Sequence, residues 1–175
     1  MLQRVQVVPY DSSWPSMFET EAKRLKGVLG KEAVSIHHIG STAIPGISAK
    51  PIIDILPEVV DIQKIDGFNG EMVKLGYTPR GELGIPGRRF FSKDAGDIRT
   101  HHVHIFQTGS SELQRHLDFR DYLIARPKKA RAYGRLKEAL ARKFPEDIEG
   151  YTDGKDGFIK DMERKAKEWR SSRPQ

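Results

Sequence analysis

Residues 38–55, HIGSTAIPGISAKPIIDI, constrain the fold of this chain more than any other stretch. An apolar run over residues 33–39 leads into a loop of glycine, proline and hydroxyl residues, and a second apolar run over 51–56 follows it. Short apolar runs bounded by glycine and proline are typical of buried strands, so the stretch predicts two strands joined by a loop. Asp54 lies inside the second run, where burial of its carboxylate costs free energy unless another group pairs with it.

Hydrophobic periodicity predicts the other elements of the chain. Apolar residues three to four apart predict a helix between the cap residues 11–13 and Gly30. Further helices are predicted over residues 61–76, 110–125, 127–144 and 158–169, with a connection over 145–157. Further strands are predicted over residues 5–8, from 77, over 88–93, and over 99–106 after a turn at 94–97.

This order of elements predicts an α+β fold, with a mixed β-sheet that carries helices on one face and a helical C-terminal part after it. The length of 175 residues suits one domain, which we expect over 1–175. We expect the sheet core with its helices in residues 1–107 and the C-terminal helices in 108–170.

The histidines in the strand 99–106 predict a cluster of polar ligands. Strand alternation places His102 and His104 on one face and His101 on the other. With Asp54 they would offer two nitrogens and one oxygen, which suits Zn²⁺ or Mn²⁺ better than Mg²⁺. Alternatively, both are polar strand residues hydrogen-bonded to their neighbours. His37 and His38 also point to opposite faces of their strand, and one of them could join the cluster.

The stretch 38–55 resembles the motif of the GrpB family, which is placed at the edge of the nucleotidyltransferase (DNA polymerase β-like) superfamily. HHVHIF at 101–106 and HLDFRDYL at 116–123 extend the resemblance over most of the chain. It implies a nucleotidyltransferase-like fold in which Gly40 and Ser41 serve an incoming triphosphate. Thr42 would add a second hydroxyl donor, and Lys50 a positive charge, for phosphate oxygens.

The sequence departs from the superfamily at the metal-binding carboxylates. Transfer with two metal ions needs carboxylates at alternate positions of one strand. Asp54 matches the second aspartate of the superfamily pair, whereas Ile52 occupies the first position. Glu58 has alternate spacing but lies near the strand end. We therefore predict Asp54, His102 and His104 as catalytic and metal-binding residues for a divalent Mg, Mn or Zn ion, with an incomplete carboxylate set.

Arginines and lysines suggest further anion contacts. Arg120 either pairs with Asp121 or binds an anion, and only one of Arg88 and Arg89 can face the site. The net charge of +6 is concentrated in residues 126–143, which hold eight basic residues against one glutamate. That helix either contacts an anionic partner such as RNA or presents a solvated face.

Two functions stay open at this point. The chain binds a nucleotide or another phosphorylated ligand, with nucleotidyl transfer possible but compromised by the missing carboxylate, or it is an inactive binding module that contacts RNA or a protein partner through its basic helix. The sequence has no cysteine and no apolar run long enough to span a membrane, which leads us to expect a cytoplasmic protein.

Overall fold

A computed structural model describes residues 4–174 of the chain. Residues 1–3 and 175, the ends of the predicted domain, lie outside the described residues. The α-helices are α1 (Trp14–Leu29), α2 (Asn69–Lys74), α3 (Ser111–Ala125), α4 (Pro127–Lys143) and α5 (Ile148–Ser172). The strands are β1 (Ala33–Ile39), β2 (Ile53–Val59), β3 (Tyr77–Pro79), β4 (Arg89–Ala95) and β5 (Ile98–Gln107).

The strands form one mixed sheet in the order β1-β2-β5-β4-β3. β2 and β5 are parallel, whereas the other neighbouring strands are antiparallel. A parallel pair needs a long crossover connection, and the segment between β2 and β5 provides it. The predicted α+β class, with a mixed sheet and a helical C-terminal part, is confirmed.

Helix α1 covers one face of the sheet. The ring of Phe18 stacks on His38 of β1, with 4.7 Å between the ring centroids. Glu21 is buried, and its Oε1 accepts hydrogen bonds from Tyr77 Oη at 2.8 Å and from Lys93 Nζ at 2.9 Å. The helix therefore contacts both edge strands of the sheet, β1 and β3. Its buried side chains are Trp14, Phe18, Glu21, Leu25 and Leu29.

The two faces of the sheet differ in polarity. Ile55 of β2 lies opposite His38 of β1 and opposite Val103 of β5. Residues that lie opposite each other on neighbouring strands point to the same face, so all three lie on the face that α1 covers. Ile55 and Val103 are fully buried there. Asp54 and His102, one position earlier on the same strands, point to the opposite face and are partly exposed. The sheet thus has an apolar face under α1 and a polar face that carries the predicted site.

The chain divides into two compact units. The sheet unit comprises residues 12–39 and 52–114. The helical unit comprises residues 4–11, 40–51 and 115–174. The motif loop therefore belongs with the C-terminal helices, although the strands on either side of it belong to the sheet unit. The single domain over 1–175 stays a prediction, and the division does not follow the predicted boundary at residue 107.

Within the helical unit, the motif loop packs on α4 at a glycine. A Cβ atom on Gly134 would lie 3.4 Å from Ile47 Cβ and from Ser48 N, so the absent side chain permits this close approach. The Ser48 hydroxyl donates a hydrogen bond to Glu138 of the same helix. The buried core here consists of Ile44, Ile47, Tyr122, Leu123, Ala130, Tyr133, Met162 and Ala166.

Two predicted helices differ from the structure, one in its type and one in its start. The predicted helix over 61–76 is a 3₁₀-helix, Ile62–Phe68, followed by the short α2, because glycines at 67 and 70 weaken an α-helix. The predicted connection over 145–157 is mostly helical, since α5 begins at Ile148. Asp147 caps α5 by accepting a hydrogen bond from Gly150 N at 2.9 Å.

Two predicted strands also need correction. The segment 5–8 makes a single bridge, between Val8 and Ala49, instead of a strand. β4 continues to Ala95, beyond its predicted end at residue 93, so the turn before β5 is shorter than predicted. Among the helices of residues 4–174, none is both long enough and apolar enough to cross a membrane.

Candidate metal and ligand site

Parallel pairing of β2 with β5 brings the predicted ligands together. Asp54 lies opposite His102 in the register, and His104 follows two positions later on the same face of β5. Each of the three residues offers one ligand atom, and these atoms all lie within 4.8 Å of one another. We call Asp54, His102 and His104 the Asp-His-His cluster.

Asp54 is the centre of this cluster. Its Oδ1 lies 3.1 Å from His104 Nε2 and 3.4 Å from His102 Nδ1. The Asp54 side chain is 27% exposed, so the carboxylate reaches the surface of the sheet unit. Burial raises the pKa of this carboxyl, but hydrogen bonds from the two histidines outweigh burial and hold the pKa below its ordinary value. Asp54 is therefore an anion that two imidazole rings stabilise.

An aromatic ring and two arginines complete the surroundings of the cluster. The Phe90 ring lies 5.2 Å from the His102 ring and 5.0 Å from the His104 ring, between centroids. Arg99 Nη1 lies 3.0 Å from His102 Nε2, and Arg88 Nη1 lies 3.4 Å from His104 Nδ1. Each histidine thus contacts Asp54 with one ring nitrogen and an arginine with the other.

The remaining candidates in the sheet unit are engaged elsewhere. Glu58 accepts a hydrogen bond from Thr108 at 2.9 Å and contacts His37 Nε2 at 3.1 Å, so its carboxylate is held outside the Asp-His-His cluster. His38 stacks under α1 on the other face. Arg89 pairs with Asp66 at 2.8 Å. Of the two neighbouring arginines, Arg88 is therefore the one that contacts the cluster.

The motif loop, in the helical unit, holds the residues predicted to bind phosphate. Gly40 has a φ of 72°, a conformation that glycine adopts without strain. Ser41 to Ala43 form one 3₁₀ turn, in which Thr42 is buried. Lys50 Nζ lies 4.6 Å from the centroid of the Tyr151 ring on α5. The loop is therefore an ordered turn followed by a lysine that packs on an aromatic ring.

Tyr151 also contacts a second lysine. Lys155 Nζ lies 4.8 Å from the centroid of the same ring. The Tyr151 hydroxyl is buried and has no hydrogen-bond partner among the described residues. Burial raises the pKa of this hydroxyl above its ordinary value. Two ammonium groups around one aromatic ring form a cationic cluster, which we call the Tyr151 cluster.

Arg120 and the basic helix complete the sequence candidates. Arg120 pairs with the neighbouring Asp121 at 2.9 Å, and its contact with an anion stays a prediction. On α4, Lys137 is buried and its Nζ lies 4.4 Å from the Tyr133 ring centroid. An exposed stripe on the same helix holds Lys128, Arg131, Arg135 and Arg142.

Sequence reasoning did not identify Arg99 as a partner of His102. The spacing argued against this contact, because an arginine three positions before a histidine on a strand points to the opposite face. The contact arises from the length of the arginine side chain and from the hairpin that joins β4 to β5, where Arg99 lies opposite Asp94.

Comparisons with known proteins identify relatives over nearly the whole chain. The protein family described as "GrpB protein" matches residues 4–165. The UPF0157 protein YqkA of Bacillus subtilis is 48% identical over 171 residues, which is 98% of this chain and 50% of that protein. The chain thus spans about half the length of this relative.

A solved structure shows the same family relationship. The crystal structure of the conserved protein GrpB from Enterococcus faecalis is 44% identical, covers 94% of this chain and 99% of that chain, and has a TM-score of 0.89. A structure of the Cid1 poly(U) polymerase bound to MgATP is 11% identical, covers 74% of this chain and 45% of that chain, and has a TM-score of 0.46.

Proposed function

The chain belongs to the GrpB family, and we propose that it binds a divalent transition metal ion and, with it, a nucleotide or another phosphorylated ligand. The observation that carries this proposal is the Asp-His-His cluster, whose three ligand atoms lie within 4.8 Å of one another. The cluster lies on the polar face of the sheet, and its carboxylate is partly exposed there.

The donor set fits a borderline metal ion. Two imidazole nitrogens with one carboxylate oxygen suit Zn²⁺ or Mn²⁺, whereas Mg²⁺ prefers oxygen ligands in octahedral geometry. A bound ion would neutralise negative charge on phosphate oxygens. Asp54 and the two histidines would hold the ion, and the positions left open by three protein ligands would receive the phosphate.

Group transfer needs more than this cluster. An in-line displacement with two metal ions uses carboxylates at alternate strand positions, and Ile52 occupies one of them. Within residues 4–174, the Asp-His-His cluster contains one carboxylate. The proposal is therefore ligand binding, and nucleotidyl transfer is a further outcome that the experiments below can reveal.

The Tyr151 cluster supports the phosphorylated ligand from a separate observation. Lys50 and Lys155 place two ammonium groups against one ring, which concentrates positive charge around it. Phosphate oxygens are strong acceptors for such donors. Lys50 follows the motif loop, so the residues predicted to serve a triphosphate and this cationic cluster belong to one compact unit.

A thermal-shift panel of nucleoside triphosphates, with and without Zn²⁺ or Mn²⁺, tests the proposal. We expect stabilisation by a triphosphate to depend on the metal ion, because binding to the folded state raises its stability. Asp54→Asn should remove the metal-dependent shift. Glu58→Gln is the matched control, since its carboxylate lies on the same strand but is held by His37 and Thr108. Equal shifts in both variants would exclude the cluster as the metal site.

A second function is favoured by the exposed stripe of α4. Lys128, Arg131 and Arg135 recur at three- and four-residue spacing, so they share one face of the helix, and Arg142 continues it two turns later. A row of exposed cations along a helix is a typical surface for a nucleic-acid backbone. This stripe supports the alternative in which the chain acts as an RNA-binding module.

A further inference from the structure

The two histidines of the Asp-His-His cluster each lie between a carboxylate and a guanidinium. His102 presents Nδ1 to Asp54 at 3.4 Å and Nε2 to Arg99 Nη1 at 3.0 Å. His104 is oriented the other way, with Nε2 at 3.1 Å from Asp54 and Nδ1 at 3.4 Å from Arg88 Nη1. The five side chains form a continuous chain of polar contacts across the face of the sheet.

The arginines determine where the ring protons lie. A guanidinium only donates hydrogen bonds, so the ring nitrogen that faces it must accept. A neutral imidazole then carries its proton on the other nitrogen, which here faces Asp54. The contacts with Arg99 and Arg88 thus favour the Nδ1–H tautomer at His102 and the Nε2–H tautomer at His104. Both protons point to Asp54 Oδ1, which accepts them.

We propose that Arg99 and Arg88 are positioning residues that hold His102 and His104 in opposite tautomers, and that Arg99 must turn away before a metal ion binds. The second part rests on the proposed metal site. Ligation by His102 needs the lone pair on Nδ1, so the proton must move to Nε2, where it would face the Arg99 guanidinium. Metal-binding histidines elsewhere direct this second N–H to an acceptor, whereas Arg99 is a donor.

The two arginines differ in their freedom to move. Arg88 is buried and donates hydrogen bonds to the backbone carbonyls of Glu82 and Leu83, so the loop before β4 fixes it. Its contact with His104 is the longer one, at 3.4 Å, so ligation by His104 Nε2 would need the imidazole ring, and not Arg88, to turn. Arg99 is partly exposed and pairs with Asp94 in the β4–β5 hairpin. Arg99 can therefore leave His102 while it keeps Asp94, which makes it the movable member of the pair.

The tautomers can be read directly by ¹⁵N NMR of the imidazole nitrogens in metal-free protein. We expect the proton of His102 on Nδ1 and that of His104 on Nε2 at a pH where both rings are neutral. The single variants His102→Gln and His104→Gln assign the signals. The same tautomer at both residues, or a His102 proton on Nε2, would overturn the inference. This measurement does not depend on whether a metal ion binds.

Two substitutions of Arg99 test its effect on metal binding. Arg99→Gln and Arg99→Met remove the same positive charge, but only glutamine supplies an oxygen that accepts from His102 Nε2–H. In Zn²⁺ titrations we expect Arg99→Gln to bind about 10-fold to 100-fold more tightly than Arg99→Met, the usual effect of an outer hydrogen-bond partner. Equal affinities would overturn the metal part of the inference. If neither variant nor the wild type binds Zn²⁺, the proposed metal site fails too, whereas the NMR result still decides the tautomers.

Discussion

Asp54 and His104 are 50 residues apart in the sequence, yet Asp54 Oδ1 lies 3.1 Å from His104 Nε2. The parallel pairing of β2 with β5 creates this contact, together with the contact between Asp54 and His102. The carboxylate that would be costly to bury alone is therefore held by two imidazole rings on the neighbouring strand. The same three groups form the candidate metal site, so a substitution at Asp54 tests both its contribution to stability and the proposed metal binding.

Asp54→Asn should destabilise the metal-free protein by about 1–3 kcal/mol at pH 7, because two imidazole donors lose their charged acceptor. The pKa of Asp54 is lower in the folded state, so its stabilisation is present above the unfolded pKa of about 3.9 and is lost as pH falls through the folded value. The difference between wild type and variant should therefore shrink at low pH. Urea denaturation at pH 7 and pH 3 measures it.

Asp66→Asn is the control for this prediction. Its carboxylate is 59% exposed and pairs with Arg89, and a carboxylate so exposed to solvent contributes about 0–1 kcal/mol through its ion pair. If Asp54→Asn lowers the free energy of unfolding no more than Asp66→Asn does, the two histidines do not have this stabilising role.

Ile52→Asp should strengthen Mg²⁺ binding. Ile52 precedes β2, and strand alternation places it on the side of Asp54. It is partly exposed, so a carboxylate there avoids full burial. Isothermal titration calorimetry with MgCl₂ measures the Mg²⁺ affinity. Ile52→Asn is the control, because asparagine has the shape of aspartate without its charge. If the two variants bind Mg²⁺ equally, Ile52 does not occupy the position of the missing carboxylate.

Gly154→Ala should destabilise the protein by about 1–3 kcal/mol, the usual cost of overpacking. A Cβ atom there would clash with the side chain of Leu140, which packs against α5 from α4. Gly157→Ala is the control on the same helix, because nothing lies within 4 Å of its Cβ position. We expect that variant to gain up to about 1 kcal/mol from helix propensity. Urea denaturation compares the two, and equal effects would contradict the close packing at Gly154.

These glycines also explain why the sequence did not predict the start of α5. Gly150, Gly154 and Gly157 all lower helix propensity, so the segment 145–157 is typical of a connection. Two of them are needed for packing, since a Cβ on Gly150 or Gly154 would meet Phe144 or Leu140. Contacts between helices decide this boundary, and propensity along the chain contains no information about them.

The candidate site was partly predictable for a similar reason. Alternation along a strand is local, so the shared face of His102 and His104 follows from the sequence. The register that places Asp54 opposite His102 is a long-range property of the sheet. The arginines depend on the path of the chain as well, because Arg88 ends a glycine-rich loop and Arg99 lies in a hairpin. The sequence therefore identified the three residues of the cluster and left Arg88 and Arg89 as alternatives, whereas it gave no reason to place Arg99 beside His102.

Lys50→Ala should weaken binding of a triphosphate such as ATP by about 1.5–3 kcal/mol, the usual contribution of a hydrogen bond to a charged group. Its ammonium lies against Tyr151 beside Lys155, in the cationic cluster of the helical unit. Lys160→Ala is the control, since that lysine is 73% exposed and pairs with Asp156. Equilibrium binding of a fluorescent ATP analogue measures the change. Unaltered affinity in Lys50→Ala would remove this lysine from the ligand site.

The triple substitution Lys128→Gln, Arg131→Gln and Arg135→Gln should abolish most binding to single-stranded RNA if the stripe of α4 is a nucleic-acid surface. Each lost phosphate contact lowers the slope of log K against log salt by about 0.7, so the slope should fall by about 2. Fluorescence anisotropy with labelled RNA over a salt series measures both quantities. The control replaces three exposed cations of α5 with glutamine, at Lys160, Arg164 and Lys167, and changes the net charge equally. If the α5 variant loses the same affinity and slope, binding follows net charge alone and the stripe is not the contact surface.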